Sequence, residues 1–213
     1  MSLNVDKVYM THFKPLVDRK TRIQDHIEFD LMWMEDEPTE QYWTYSEEEW
    51  RKRAGAMGHR RLRVSEISLA HKHIEAYKDI VTNQHPTSLV LEDDVVLCNN
   101  FEQHFNLFLS QTPDDWDFIY IGSGCNLRVD WCAVDPNQPA YKKRHPASKC
   151  TDSYCITQVA AQKILNTIIP FSLPIDWELN YQMGLHDMNV YWWEPPLVRQ
   201  GSQCGLYNSK IQE

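Results

Sequence analysis

The 213-residue sequence has no run approaching the roughly 20 consecutive apolar residues of a membrane-spanning helix, and residues 1–6 lack the apolar core of a signal peptide. Glycine is scarce, with 7 residues, and proline stands at 11, which excludes collagen-like and low-complexity classes. Positive charge is also short: 21 Lys and Arg against 30 Asp and Glu give a net charge of −9 with nine His neutral. That excludes a dedicated nucleic-acid binder, whose affinity comes from neutralising phosphates, and a polybasic membrane-surface protein. No G-x-S-x-G, P-loop or G-x-G-x-x-G is present, so neither a nucleophile triad nor the common nucleotide loops has support. None of the six cysteines, at 98, 125, 132, 150, 155 and 204, forms a C-x-x-C pair or a common zinc spacing. They read as reduced thiols, mostly packing residues, in a cytoplasmic protein.

What remains is an ordinary globular composition, 42% apolar and 24% charged, in a length that suits one domain. Residues 7–10, 27–32, 87–91, 116–121, 154–156 and 189–193 read as strands. Residues 18–27 read as a polar helix. Ser46 with Glu49 forms a capping box that opens another. Ile67, Ala70, Ile74, Tyr77 and Val81, spaced three and four apart, mark the clearest amphipathic helix. Phe101, Phe105 and Phe108 mark a further helix, Thr157 caps one, and Asp176 caps the last, through Leu185. Residues 125–150, broken by prolines, form an irregular excursion. Strands alternating with helices predict an α/β domain with a mostly parallel central sheet flanked by helices. Ligands in such sheets sit beyond the carboxyl ends of the strands. His12, the 92–94 segment and Gly122 all follow strands, so one rim can hold them.

The strongest chemical feature is Glu92-Asp93-Asp94, three carboxylates directly after a buried strand with no base between them. Their repulsion is relieved by a divalent cation, and oxygen-only ligands suit Mg²⁺, Mn²⁺ or Ca²⁺; the alternative is a solvated acidic turn. Gly58-His59-Arg60-Arg61-Leu62-Arg63 is the densest basic run and precedes the clearest helix, so phosphate or plain solvation both account for it. His71 and His73, about 200° apart around a helix, cannot share a metal there; His71 faces inward and His73 reads as a surface residue. Asp176 reads as either an N-cap or a general base. Trp131, Trp177, Trp192 and Trp193 are either sugar platforms or core. His186-Asp187 alone is a weak hint of a metal phosphohydrolase.

Taken in order, these segments resemble the GT-A-type glycosyltransferases of family 25, the lipopolysaccharide and procollagen galactosyltransferases. The resemblance rests on Val8-Tyr9-Met10 with Arg19; on Ile67-Ser68-Leu69-Ala70-His71, where Ala70 replaces a Ser; and on the acidic motif of 90–95. It continues through Asp115-Trp116-Asp117-Phe118-Ile119-Tyr120-Ile121-Gly122, the segment from Tyr154 to Leu165, Pro174-Ile175-Asp176 and Pro196-Leu197-Val198-Arg199-Gln200. The 125–150 excursion departs from the pattern. The length falls short of many members, which implies a piece of a longer protein.

The resemblance implies a nucleotide-binding half over about 1–98 and an acceptor-side half over about 99–213. It implies a nucleotide-sugar donor, usually a UDP-sugar, with Mn²⁺ or Mg²⁺ on its diphosphate held by Asp94 and Glu92. Asp93 would face ribose or donor sugar. Thr11, His12 and Phe13 would border base and ribose, and Arg19, Arg60, Arg63 and His71 would add contacts to the donor. Asp176 would be the general base for inverting transfer to a hydroxyl of a glycan or glycoprotein acceptor. Two rivals stay open on the residues alone: a metal phosphohydrolase or nuclease using the same carboxylates with His71 and His186, and a carbohydrate- or Ca²⁺-binding module.

Overall fold

A computed structural model describes residues 2–38, 62–135, 137–143 and 149–207. The helix expected at Ser46, Arg60 and the rest of the basic run before Leu62 lie outside these residues. The chain begins with strand β1 (Lys7–Thr11), helix α1 (Val17–His26), β2 (Met32–Met34), α2 (Val64–Thr82), β3 (Thr87–Glu92) and β4 (Val95–Leu97). There follow α3 (Phe101–Gln111), β5 (Phe118–Tyr120), β6 (Ala140–Lys142), β7 (Ser153–Thr157), α4 (Gln158–Leu165), α5 (Ile175–Leu185), β8 (Val190–Trp193) and β9 (Val198–Gln200).

Successive strand side chains point to opposite faces, and here both faces are apolar. Tyr9, Val90 and Tyr154 pack on one face beneath α2, α4 and α5. Val8, Met10, Leu89 and Leu91 pack on the other, against Ile23 of α1 and Phe101 and Phe105 of α3. Fully buried Trp193 anchors that second layer. Its ring meets Phe105 and Phe108 edge-on at 5.3 and 5.6 Å, and its indole N–H donates to Thr112 Oγ1 at 2.9 Å. Each such aromatic pair adds about 0.5–1.5 kcal/mol beyond its buried area.

The seven-stranded sheet has the order β2-β1-β3-β7-β5-β8-β6. The α/β class with a helix-flanked central sheet is as expected, but the sheet is mixed. β7 runs antiparallel to both β3 and β5, and β6 is antiparallel to β8 at the edge, so three of the six pairings are antiparallel. The reason is the route of the chain. The excursion after β5 delivers it to β7 without the crossover helix that a parallel entry requires. The excursion is also less irregular than expected, since β6 lies within it. β2 lies later than the 27–32 segment: Ile27 ends α1 and is buried by packing on the second layer rather than by pairing. A second ribbon joins β4 to β9. Only Cys155 of the cysteines is fully buried, whereas Cys125, Cys132 and Cys204 are exposed, so packing is not their main role. No described helix is long and apolar enough to cross a membrane.

Candidate active site

The carboxyl ends of β1, β3 and β5 meet at one rim. There His12 Nδ1 lies 2.8 Å from Asp93 Oδ2, and the Glu92 N–H donates to the Asp152 carbonyl at 2.9 Å. That second bond extends the β3–β7 register, in which Leu91 faces Ser153, by one pair. It places Asp152 beside Glu92. Gly122, at the end of β5, leaves room for it: a Cβ there would come within 2.0 Å of Asp152 Oδ2.

The three carboxylates of the acidic turn have different surroundings. Asp93 is engaged on both oxygens: Arg19 donates to Oδ1 at 2.7 Å, while His12 and the Phe13 N–H meet Oδ2. Glu92 accepts from Thr151 Oγ1 at 2.6 Å. Asp94 accepts one bond, from the Ser202 N–H to Oδ2 at 3.3 Å, and its buried Oδ1 has no partner among the described residues. Burial, with the Glu92 charge adding to it, raises the Asp94 carboxyl to about 6. Asp152, fully buried, is held well above the carboxylate range by desolvation and then by Glu92 and Asp94.

A cavity of about 580 Å³ opens from this turn. Glu92, Asp93 and Asp94 line it, as do Gln200 and Ser202 from the β9 segment. Thr11, His12, Phe13, Arg19 and Arg63, all expected at the site, line it as well, and so do Leu16, Glu37, Ser68, Leu69 and Lys72. Arg19 also stacks on Tyr207, 4.8 Å from the ring centroid, which fixes the guanidinium at the rim.

Three expectations need correction. His71 does not line the cavity; its Nδ1 lies 3.7 Å from Glu75 Oε1 on its own helix, and burial lowers its proton affinity. His73, expected at the surface, is fully buried. Its Nδ1 meets the Tyr154 hydroxyl at 2.7 Å and its Nε2 lies 3.7 Å from Glu92 Oε1. It therefore links the core to the acidic turn. Asp176 is not a cap: Pro174 holds that place with no side-chain bond, and Asp176 Oδ1 accepts from the neighbouring Trp177 N–H at 2.9 Å. Asp176 is half-buried and lies outside the cavity lining. Burial raises its carboxyl, and the Glu92 charge raises it further, so the two are electrostatic neighbours.

Of the tryptophans, Trp192 and Trp193 are buried and Trp131 is 84% exposed. His186 Nε2 bonds to Thr167 Oγ1 at 2.8 Å at the end of α5 and takes no part in the rim. Among the described residues no three His, Cys, Asp or Glu side chains are arranged as a ready-made metal cage. The open oxygen of Asp94 beside Glu92 fits a cation that is held by one or two carboxylates and completed by substrate phosphates, as Mg²⁺ usually is.

Lys149 is an element the sequence does not flag. It is completely buried behind the rim, with Nζ 4.7 Å from the Trp192 ring centroid and no hydrogen-bond partner among the described residues. Burial pushes its ammonium down to about 8. A lysine lowered on folding costs stability below the folded value and recovers it as pH rises toward 10.5, because the unfolded chain then binds more protons. Lys149→Met is expected to stabilise the fold at pH 7 by about 3 kcal/mol. Its gain in melting temperature should shrink between about pH 8 and 10. An unchanged or lower melting temperature at pH 7 would show that attraction to Glu194 and Asp152 outweighs burial.

The crystal structure of A197 from STIV aligns over 87% of this chain and 80% of its own, at 15% identity and a TM-score of 0.43. A glycosyltransferase involved in the glycosylation of the major capsid of PBCV-1 aligns over 97% and 94%, at 10% identity and a TM-score of 0.45. No curated protein matches the sequence. The acidic turn, the β1 end and Asp176 all fall within residues 6–178, the span matched by the family model "Glycosyltransferase family 25 (LPS biosynthesis protein)", and the chain belongs to that family.

Proposed function

We propose that this glycosyltransferase moves a sugar from a nucleotide-sugar donor, a UDP-sugar, to a hydroxyl of a glycan or glycoprotein acceptor, with inversion at the anomeric carbon and dependence on Mn²⁺ or Mg²⁺. The observation that carries the reading is one cavity lined by the three carboxylates, by Arg19 and Arg63 and by the exposed Phe13. Those are groups suited to diphosphate, ribose and base. Asp94, with Glu92, would hold the cation, which supplies positive charge to the departing diphosphate. Arg19 and Arg63 add charge there. Thr11 and His12 border the ribose, and Asp93, fixed by His12 and Arg19, keeps the β1 end in register with the acidic turn.

On the acceptor side Asp176 takes the hydroxyl proton as the acceptor oxygen bonds the anomeric carbon. The bond to the diphosphate oxygen breaks with its electron pair on the leaving group. A carboxyl raised by burial is a stronger base than an ordinary one, which suits that task. The rival phosphohydrolase reading loses its histidines, since neither His71 nor His186 faces the cavity.

The test is thermal stability with UDP and Mn²⁺ separately and together. The joint rise should exceed the sum of the separate ones. A ligand at 100 times its dissociation constant adds about 2.7 kcal/mol, a rise of roughly 5–10 °C for a chain this size. An equal rise with UDP in EDTA would remove the metal from the reading.

A further inference from the structure

The cavity wall formed by α2 and the segment after β2 carries a polar group that none of the chemistry above uses. Glu37, just beyond β2, accepts from Lys72 Nζ at 2.9 Å on Oε1 and from Ser68 Oγ at 2.8 Å on Oε2. Lys72 Nζ also donates to Ser68 Oγ at 2.6 Å, closing a three-membered ring of hydrogen bonds. Lys72 is 3% exposed, an unusual place for an ammonium, and it comes from α2, one turn after Ser68. The ring is therefore built rather than incidental, for two elements far apart in sequence converge on it. Phe13 stands beside it, its ring centroid 5.9 Å from Lys72 Nζ and its side chain open to the cavity. Leu16 and Leu69 supply apolar wall. An aromatic face, an apolar wall and a polar edge are the parts that bind a planar heterocycle.

We propose that Glu37, held by Ser68 and Lys72, reads the base of the donor nucleotide and selects a ring with a keto oxygen beside a ring N–H, as in uracil and guanine. The inference rests on the nucleotide-sugar reading above and adds which residues of this chain read the base. Each Glu37 oxygen accepts one bond from the protein and keeps a lone pair for another donor. A ring N–H, N3–H in uracil or N1–H in guanine, supplies that donor. Lys72, with three N–H bonds and two used, has one left for the adjacent keto oxygen. Cytosine and adenine reverse the pattern. Their ring nitrogen at that position is an acceptor that would face the carboxylate, and their exocyclic amino group would face the ammonium. Burial raises the Glu37 carboxyl, but the hydrogen bonds from Lys72 and Ser68 outweigh it and hold the group below its ordinary value, so it stays an acceptor at neutral pH. A site built to pair with one hydrogen-bond pattern rejects the reversed one because its own groups are left unpaired.

The experiment is calorimetric titration of the full chain with UDP, GDP, CDP and ADP in Mn²⁺, for the wild type and Glu37→Gln. Glu37 is half-exposed and glutamine keeps its shape, so the variant changes the charge facing Lys72 and not the packing. The wild type should bind UDP or GDP at least about tenfold more tightly than CDP and ADP, the scale of one hydrogen bond to a charged group. The UDP and GDP arms tell the two keto bases apart. Glu37→Gln should weaken the favoured nucleotide about tenfold and bring the four close together. Equal binding of all four by the wild type would overturn the base assignment and leave the donor reading intact. So would an unchanged preference in Glu37→Gln. Binding of none would overturn both. As a second check, Lys72→Met should lose the same preference with Glu37 still present; retention of the preference would overturn the role of the ring.

Discussion

Replacing Asp176 with asparagine is expected to lower sugar transfer by about 10²–10⁴-fold, the usual contribution of general base catalysis, with UDP and Mn²⁺ affinity nearly unchanged. The substitution keeps shape and removes basicity, and Asp176 lies outside the cavity that would hold the nucleotide. Stability should not fall, because Pro174, not Asp176, occupies the cap, and burial with the Glu92 charge already disfavours the ionised carboxyl that asparagine replaces. Measured as UDP released with acceptor present, the acid limb of the wild-type pH profile should fall above the ordinary aspartate range, in line with the raised carboxyl. Glu178 cannot stand in. It is fully buried, its oxygens held by the Ser172 N–H and by Gln182 Nε2. A fully active Asp176→Asn enzyme would remove Asp176 as the base.

Asp94→Ala is expected to abolish the joint stabilisation by UDP and Mn²⁺ and to cut transfer by at least ~10²-fold, as loss of a principal charge-stabilising group does. The same variant should be more stable than the wild type when metal-free. Asp94 is 4% exposed and its folded carboxyl lies at about 6, above the ordinary 3.8, chiefly through desolvation and then through Glu92. A carboxyl raised on folding lends stability below its unfolded value and loses it as pH rises through the folded one. At pH 7 the wild type therefore carries a penalty of about 3 kcal/mol that alanine lacks, and the difference should vanish below about pH 4. Melting curves in EDTA at pH 7 and pH 4 measure it. An apo Asp94→Ala protein less stable than wild type at pH 7 would mean that the turn is structural rather than a cation site.

The elements with long apolar runs were legible. β1 and β3 are buried on both faces and announce themselves as continuous hydrophobic stretches, and the α2 stripe set that helix. The same stripe also carries His73, three residues after Ala70 and four before Tyr77, so the period itself turns it inward. β6 and β9, three residues each, are too short for any period to register. β9 falls within the 196–200 segment, which enters only through the family resemblance. The acidic turn stands out in the residues themselves, three carboxylates directly after a buried strand, whereas the roles of Arg19 and the end of β1 enter only through the family resemblance. Asp152 was not legible. Its place beside Glu92 follows only from the antiparallel register of β7, and that reversal depends on a chain path that no local pattern encodes. Glu37, Ser68 and Lys72 were hidden for the same reason, as their ring is closed across 31 and 35 positions of sequence.

The acidic turn is finished by a segment made long after it. The Gly201 N–H donates to the Asp94 carbonyl and the Ser202 N–H to its carboxylate, across 108 positions, with the β4–β9 ribbon as the lever that brings them there. During synthesis the carboxylates emerge early, and for the next hundred residues they lack the backing that orients Asp94. Contacts of such separation form late, after the loop entropy between them has been overcome. A nascent chain that has reached only α5 holds the partners of Asp93 and Glu92 but leaves Asp94 without its backing. The orientation of Asp94 thus depends on the order of synthesis: it arrives with the β9 segment, after the other two carboxylates of the turn have their partners.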